Sequence, residues 1–232
     1  YGVHGRFTFA PITTPTSLLH FGISGYDRKV STDGAGASQI RVRAQPESTI
    51  DAARLIDTAN IANVDNVRLI GLELAGMKGP VGFQSEWGQM QLDRIGRPDA
   101  DFSGAYVGVN WFLTGESRVY DPRTGVFTRF SPRKMVSPAD GTWGAWEVAA
   151  RWSTLDLNSD PNLFSGTTLL GIRGGEETNY TLGLNWYWNP YFRMMLNYVH
   201  ADAANRTNTT SGIGLDEGVE ADLLGIRVQQ EW

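Results

Sequence analysis

His4, His20 and His200 are the chain's three histidines, the residues most able to bind metal or move a proton. They sit on three separate segments with no HExxH or comparable ligand spacing. In the register expected for the first hairpin, His20 faces Thr8 rather than His4, so these two share no metal. The carboxylate pairs Asp99/Asp101 and Asp156/Asp160 fall in or beside loops, where solvated charge is the ordinary role. No GxxxxGK[ST] loop or GxSxG elbow occurs, and "GAGAS" at Gly34 lacks a strand-turn-helix around it. The chain has no cysteine, which excludes thiol catalysis, cysteine zinc sites and a disulfide framework. No catalytic constellation emerges, and neither a cofactor nor a metal is expected.

The charged side chains that remain are organised by the segments that carry them. Nine stretches alternate with period two. They are "VHGRFTFA", "LLHFGISGY", "RLIGLELAG", "VGFQSEWGQ", "GAYVGVNWFL", "GAWEVAARWS", the two arms of "NYTLGLNWYWNPYFRMMLNYVHADA", and "DLLGIRVQQEW". One phase is apolar; the other holds Arg6, Arg151, Arg193 and Arg227 together with Glu73, Glu86, Glu147, Asn110, Asn185 and Asn197. A helix would repeat at three and four residues, so the chain is expected to be all-β.

The 232 residues suffice for a sizeable core without staples. A net charge of −5 argues against a nucleic-acid partner. Mean hydropathy is −0.28 and no apolar run approaches the ~18 residues of a membrane helix, but membrane strands carry a far weaker signal. Connections alternate between short ("PITTPTS", "KGP", "WNPY") and long (27–65, 92–101, 158–178, 203–220), as in an up-and-down membrane barrel with tight periplasmic turns. The connection 114–142 breaks this rule, being long where a short turn is due, and the pattern assigns it no role. Trp87, Trp111, Trp146, Trp152, Trp186, Trp188 and Tyr198 all fall on the apolar phase, mostly toward strand ends, which suggests aromatic girdles at the two headgroup levels. A soluble β-sandwich is the alternative, and it would place its tryptophans at the sheet centre.

Bacterial outer-membrane barrels have an even strand count and periplasmic termini, so nine strands read as one barrel domain, 1–232, incomplete on its N-terminal side. The terminal Trp232 fits the outward phase of a last descending strand.

"GAWEVAARWSTLDLN", "YTLGLNWYWNPYFRMMLNYVHAD" and "LLGIRVQQEW" resemble the phosphate-selective porin family, the porins O and P. "YGVHGRFTFAPI", "RVRAQPES", "RLIDTANI", "GLELAGMKGP" and "WFLTGESRVYDPRTGVFTR" extend the resemblance over nearly the whole chain. It implies an antiparallel transmembrane β-barrel of sixteen strands, of which these are the last nine, assembled as a homotrimer in outer-membrane lipid. It also implies passage of small anionic solutes along arginines, whose permanently charged planar fork suits phosphate oxygens. Arg41 and Arg43, two apart in "RVR", would then project together from an inward-folded loop, beside Arg6, Arg151, Arg193 and Arg227 on the wall. Only three lysines, Lys29, Lys78 and Lys134, are present, fewer than the family's lysine-rich mouths require, so a general porin is equally defensible. A non-conducting barrel that docks other envelope components is the remaining alternative.

Overall fold

The structure is a computed structural model that describes residues 1–31, 38–47, 53–206 and 218–231. Nine long strands carry it: β1 (Gly2–Thr14), β2 (Ser17–Lys29), β3 (Val64–Lys78), β4 (Val81–Arg94), β5 (Ala100–Phe112), β6 (Ala145–Ser159), β7 (Ile172–Tyr187), β8 (Phe192–Arg206) and β9 (Val219–Gln230). They form one sheet whose spatial order is the chain order, every neighbouring pair antiparallel. Each expected alternating segment lies in one of these strands. Among the described residues the only helical element is a 3-10 turn, Pro138–Asp140.

The registers turn sequence phase into two faces, because residues opposite one another across an antiparallel pair point the same way. One row runs Phe83, Val109, Ala150, Leu182, Tyr198, Leu224 across six strands. A second runs Gly22, Glu73, Glu86, Tyr106, Ser153, Asn179 on the other side. Every strand exposes large apolar residues from the first face, including Phe7, Ile23, Leu72, Phe83, Val109, Trp152, Leu182, Leu196 and Ile226. An open apolar surface of that extent is not tolerated in water and marks an interface with lipid or protein. Among the described residues no second sheet packs against it, unlike a sandwich.

The polarity of both faces inverts toward the end that carries the long loops. There the apolar face becomes polar: Arg68 and Asp93 pair at 2.5 Å, and Asp222 accepts from Tyr198 Oη at 2.7 Å and sits 2.9 Å from His200 Nδ1. The opposite face becomes apolar, and Val67, Leu92, Ala100, Phe102, Leu157 and Ala203 join Ile56 and Ile61 in a buried core. The strands thus run beyond the apolar band. The connection expected over 92–101 shrinks to residues 95–99, and Trp87 and Trp152 stand mid-strand rather than toward strand ends.

Two segments cross the inner face. The first, described over 38–47 and 53–62, follows β2 in the chain and reaches β6 and β7, where Glu47 accepts from Ser153 Oγ and Thr181 Oγ1, both at 2.6 Å. The second, 114–142, leaves from β5 and reaches back to β1 and β2. Its Phe130 stacks on Phe112 at 4.5 Å and meets Tyr187 edge-on at 4.7 Å, packing the segment against the wall at the short-turn end. Gly125 belongs there for a steric reason: its φ is +69°, and a Cβ would lie 3.3 Å from that of Thr8.

Candidate functional site

Between the two crossing segments the inner face presents a belt of paired charges. Arg6 on β1 grips Glu73 of β3 bidentately, Nε to Oε1 at 2.8 Å and Nη2 to Oε2 at 2.5 Å. Gly22, opposite Glu73 on β3 and Thr8 on β1, leaves room for that carboxylate, since a Cβ there would lie 2.9 Å from it. The same guanidinium donates to the carbonyls of Thr124 and Gly125 at 3.1 Å each, tying 114–142 to the wall. His20 closes the cluster, with Nδ1 2.7 Å from Tyr120 Oη and Nε2 3.5 Å from Glu73. It is buried opposite the Ala10–Pro11 bulge rather than opposite Thr8, because Thr8 pairs with Gly22 and the β1–β2 register then shifts between Phe9 and Ile12.

Farther along the belt, Arg151 Nε meets Glu47 Oε1 at 2.8 Å, and its guanidinium lies 3.8 Å over the Tyr106 ring. Tyr106 donates to Glu86 at 2.6 Å. Glu147 is buried, accepting from Asn185 Nδ2 at 2.9 Å and Tyr187 Oη at 2.7 Å. Arg193 donates twice to Gln229, at 3.2 and 2.8 Å. Arg227, opposite Met195 on the inner phase, is exposed on the last strand. Asn110 lies opposite Gly82 and Ala149, and Asn197 opposite Gly183 and Gly225, so small partners leave both amides room on the inner face.

Arg41 is paired within its own loop, whereas Arg43 is exposed. Arg41 closes on Asp57 with contacts of 2.8 and 2.5 Å, and Arg43 sits opposite Asp57 in the Arg43–Ala44/Ile56–Asp57 ribbon. The Arg41 hydrogen bond holds the Asp57 carboxyl below the usual carboxylate range, against a smaller opposing effect of burial. A lowered folded-state pKa means the clasp stabilises the loop above the unfolded carboxylate range and is lost as pH falls through the lower folded value. Asp57→Asn at neutral pH therefore reproduces the acid effect, with trypsin cutting faster after Arg41 and Arg43 than in the parent protein. Equal cutting rates would remove the clasp from the account.

On the opposite face the aromatics fall into two registered levels. Trp146 and Trp186 are cross-strand partners, stacked at 4.9 Å, and Trp186 continues to Trp188 at 4.7 Å and Trp188 to Phe192 at 5.0 Å. Trp111, exposed near the end of β5, belongs to this short-turn end. Six residues along β6 and β7, Trp152 and Tyr180 are partners again, with Tyr198 opposite Leu182 on the adjacent β8 and Trp87 on β4, beyond β5, near the point where polarity inverts. Six residues span about 20 Å of strand, within the ~25 Å apolar band of outer-membrane barrels. Only Val148, Ala150, Leu182 and Leu184 lie between the levels on these two strands.

The phase of the sequence could have revealed Tyr106 and Tyr180, which simply continue their strands' alternation. Trp143, whose carbonyl accepts from Trp186 Nε1 at 2.8 Å, and Glu47 could not have been found that way, because both lie outside the nine strands. Trp232 lies outside the described residues.

A sheet with a lipid-type apolar band, two aromatic levels and a charged inner face belongs to the outer-membrane strand proteins. The chain is a member of the phosphate-selective porin O and P family, whose profile matches residues 1–232. That membership places it in the bacterial outer membrane. It is 31% identical over 236 residues to an uncharacterized protein of Caulobacter vibrioides, covering 100% of this chain and 43% of that protein. It is 28% identical over 228 residues to Porin O of Pseudomonas aeruginosa, covering 92% of this chain and 50% of that protein. The chain therefore spans about half the length of the curated relatives it matches. Among solved structures it is similar to outer-membrane-expressed OmpT of Vibrio cholerae, with 12% identity, a TM-score of 0.47, and coverage of 100% of this chain and 56% of that one. The in-vitro folded form of OmpT gives a TM-score of 0.48. At these values the likeness adds nothing to the family assignment.

Proposed function

We propose that this chain is part of the wall of an outer-membrane porin through which small hydrophilic solutes diffuse passively, with anions such as phosphate preferred. The observation that carries the reading is the pairing of a lipid-type outer face with an inner face whose charges sit between two crossing segments. Backbone groups on an open sheet edge cannot face hydrocarbon unpaired. The outer edges of β1 and β9 do not pair with each other, which supports a barrel completed by further strands to an even total such as sixteen. A homotrimer is the assembly proposed for it. Anion preference draws on the guanidinium groups of Arg6, Arg151, Arg193 and Arg227 along the wall and of Arg41 and Arg43 in the crossing segment. The ion pairs with Glu73, Glu47 and Asp57 reduce the net positive potential that these groups supply, which favours a modest preference over a strict one.

The test is planar-bilayer conductance of the full-length protein. The expected result is discrete conductance steps, a reversal potential displaced toward the chloride equilibrium, and a current reduced by phosphate. Steps insensitive to phosphate would mean a general porin, and no steps at all a non-conducting docking barrel.

A further inference from the structure

One place on the inner face buries acceptor atoms that no donor reaches. Glu177, on β7, is 2% exposed; one of its oxygens accepts from Asn179 Nδ2 at 2.8 Å, while Oε2 has no hydrogen-bond partner. Asn179 is 5% exposed and its Oδ1 is likewise unpartnered. Buried polar atoms in folded proteins almost always have partners, so two orphan acceptors side by side point to a donor supplied from outside the chain. Both residues line the cavity between the Ala44–Glu47 stretch and the wall, with Glu47, Glu86, Tyr106 and Arg151 around it.

The charges of that cavity say what kind of donor fits. Arg151 is its only basic lining residue, and Glu47 already holds it at 2.8 Å. Among the described residues no cation stands within ion-pair distance of Glu86 or Glu177. The surplus is negative, and the orphan atoms accept only. We infer that Glu177 and Asn179 form a subsite for the ammonium group of a small solute, with Glu177 Oε2 and Asn179 Oδ1 each accepting one of its N–H groups. Arg151, paired with Thr181, lies two residues along β7 from Asn179 and four from Glu177, roughly 7 and 14 Å down the strand. It therefore lies beyond the reach of a short solute's amine seated on Glu177, and the ammonium contacts alone carry the recognition. The inference rests on the porin reading only for the solute's route of entry.

The probes are 2-aminoethylphosphonate and ethylphosphonate, which differ by the amine, titrated calorimetrically into the full-length protein in detergent micelles. The amine-bearing compound should bind about tenfold tighter, the effect of some 1.4 kcal/mol. Glu177→Gln should abolish that preference while leaving ethylphosphonate affinity unchanged. Asn179→Asp, which adds a carboxylate at the same spot, should increase the preference, and it reads the site even if the Glu177 variant fails to fold. Equal affinities for both compounds in the parent protein overturn the inference. So does a preference that survives Glu177→Gln, which would place the amine on another acceptor than Glu177. Displacement of the amine by an equal concentration of potassium would replace the ammonium subsite with a site for inorganic cations. Bilayer recordings on the same preparation report the pore separately: binding without conductance keeps the subsite and removes the porin.

Discussion

Leu182→Arg destabilises the folded protein by about 2–4 kcal/mol, while Asn197→Arg, one strand away and facing the other side, costs little. Leu182 lies between the two aromatic levels, flanked in register by Ala150 and Tyr198, and is 60% exposed in the isolated chain. In a water-soluble protein a residue that open would accept arginine almost freely, since surface substitutions usually stay within about 0.5 kcal/mol. In lipid the guanidinium must leave water or drag water into the band. Asn197 sits opposite Gly183 and Gly225, so a longer side chain there extends into aqueous space without displacing a neighbour's side chain. The measurement is urea unfolding of both variants in lipid vesicles, read by tryptophan fluorescence. Equal stability would reverse the assignment of the faces; a larger loss for Asn197→Arg would mean that the inner face is packed rather than wet. The contrast matters more than either value, because both variants add the same charge to the same kind of strand.

The nine strands and their two faces were legible because a half-lipid, half-water strand must alternate, and "LGLNW" or "VGVNW" can do so in only one phase. Strand length was not legible, because polarity inverts above the bilayer. In "ADFSGAY" the inward Ala100 and Phe102 are buried and the outward Asp101 and Ser103 are polar, the reverse of Tyr106 and Val107 below them. A reader following one phase loses the strand at Gly104. The alternation groups the inner charges on one phase, yet their partners were invisible. Glu73 can be matched to Arg6 only when β1 and β3 are known to flank β2, and Glu47 to Arg151 only when a loop from β2 is seen to cross to β6. The role of 114–142 was hidden for a related reason. Its anchors, Arg6, Thr8 and His20, lie about a hundred residues away and show no spacing that local reading can use.

Those anchors lead to the second large effect: Arg6→Ala releases 114–142 from the inner face. The variant removes a bidentate pair and two hydrogen bonds to the segment's carbonyls, and it leaves Glu73 with only His20, at 3.5 Å, as a possible cation. Stranding a carboxylate costs about 1–3 kcal/mol when buried, and the lower end applies because the Arg6 side chain is 36% exposed and water screens the pair. Stability and segment position can be separated. Arg6→Ala with Glu73→Ala removes the stranded charge and should recover most of the lost stability, but not the bonds to Thr124 and Gly125. Both variants should therefore show faster proteolysis within 114–142 and a larger single-channel conductance, while only the single variant shows the full stability loss. Parent-like conductance in Arg6→Ala would show that 114–142 keeps its place without this anchor, through Phe130 on Phe112 and Tyr187.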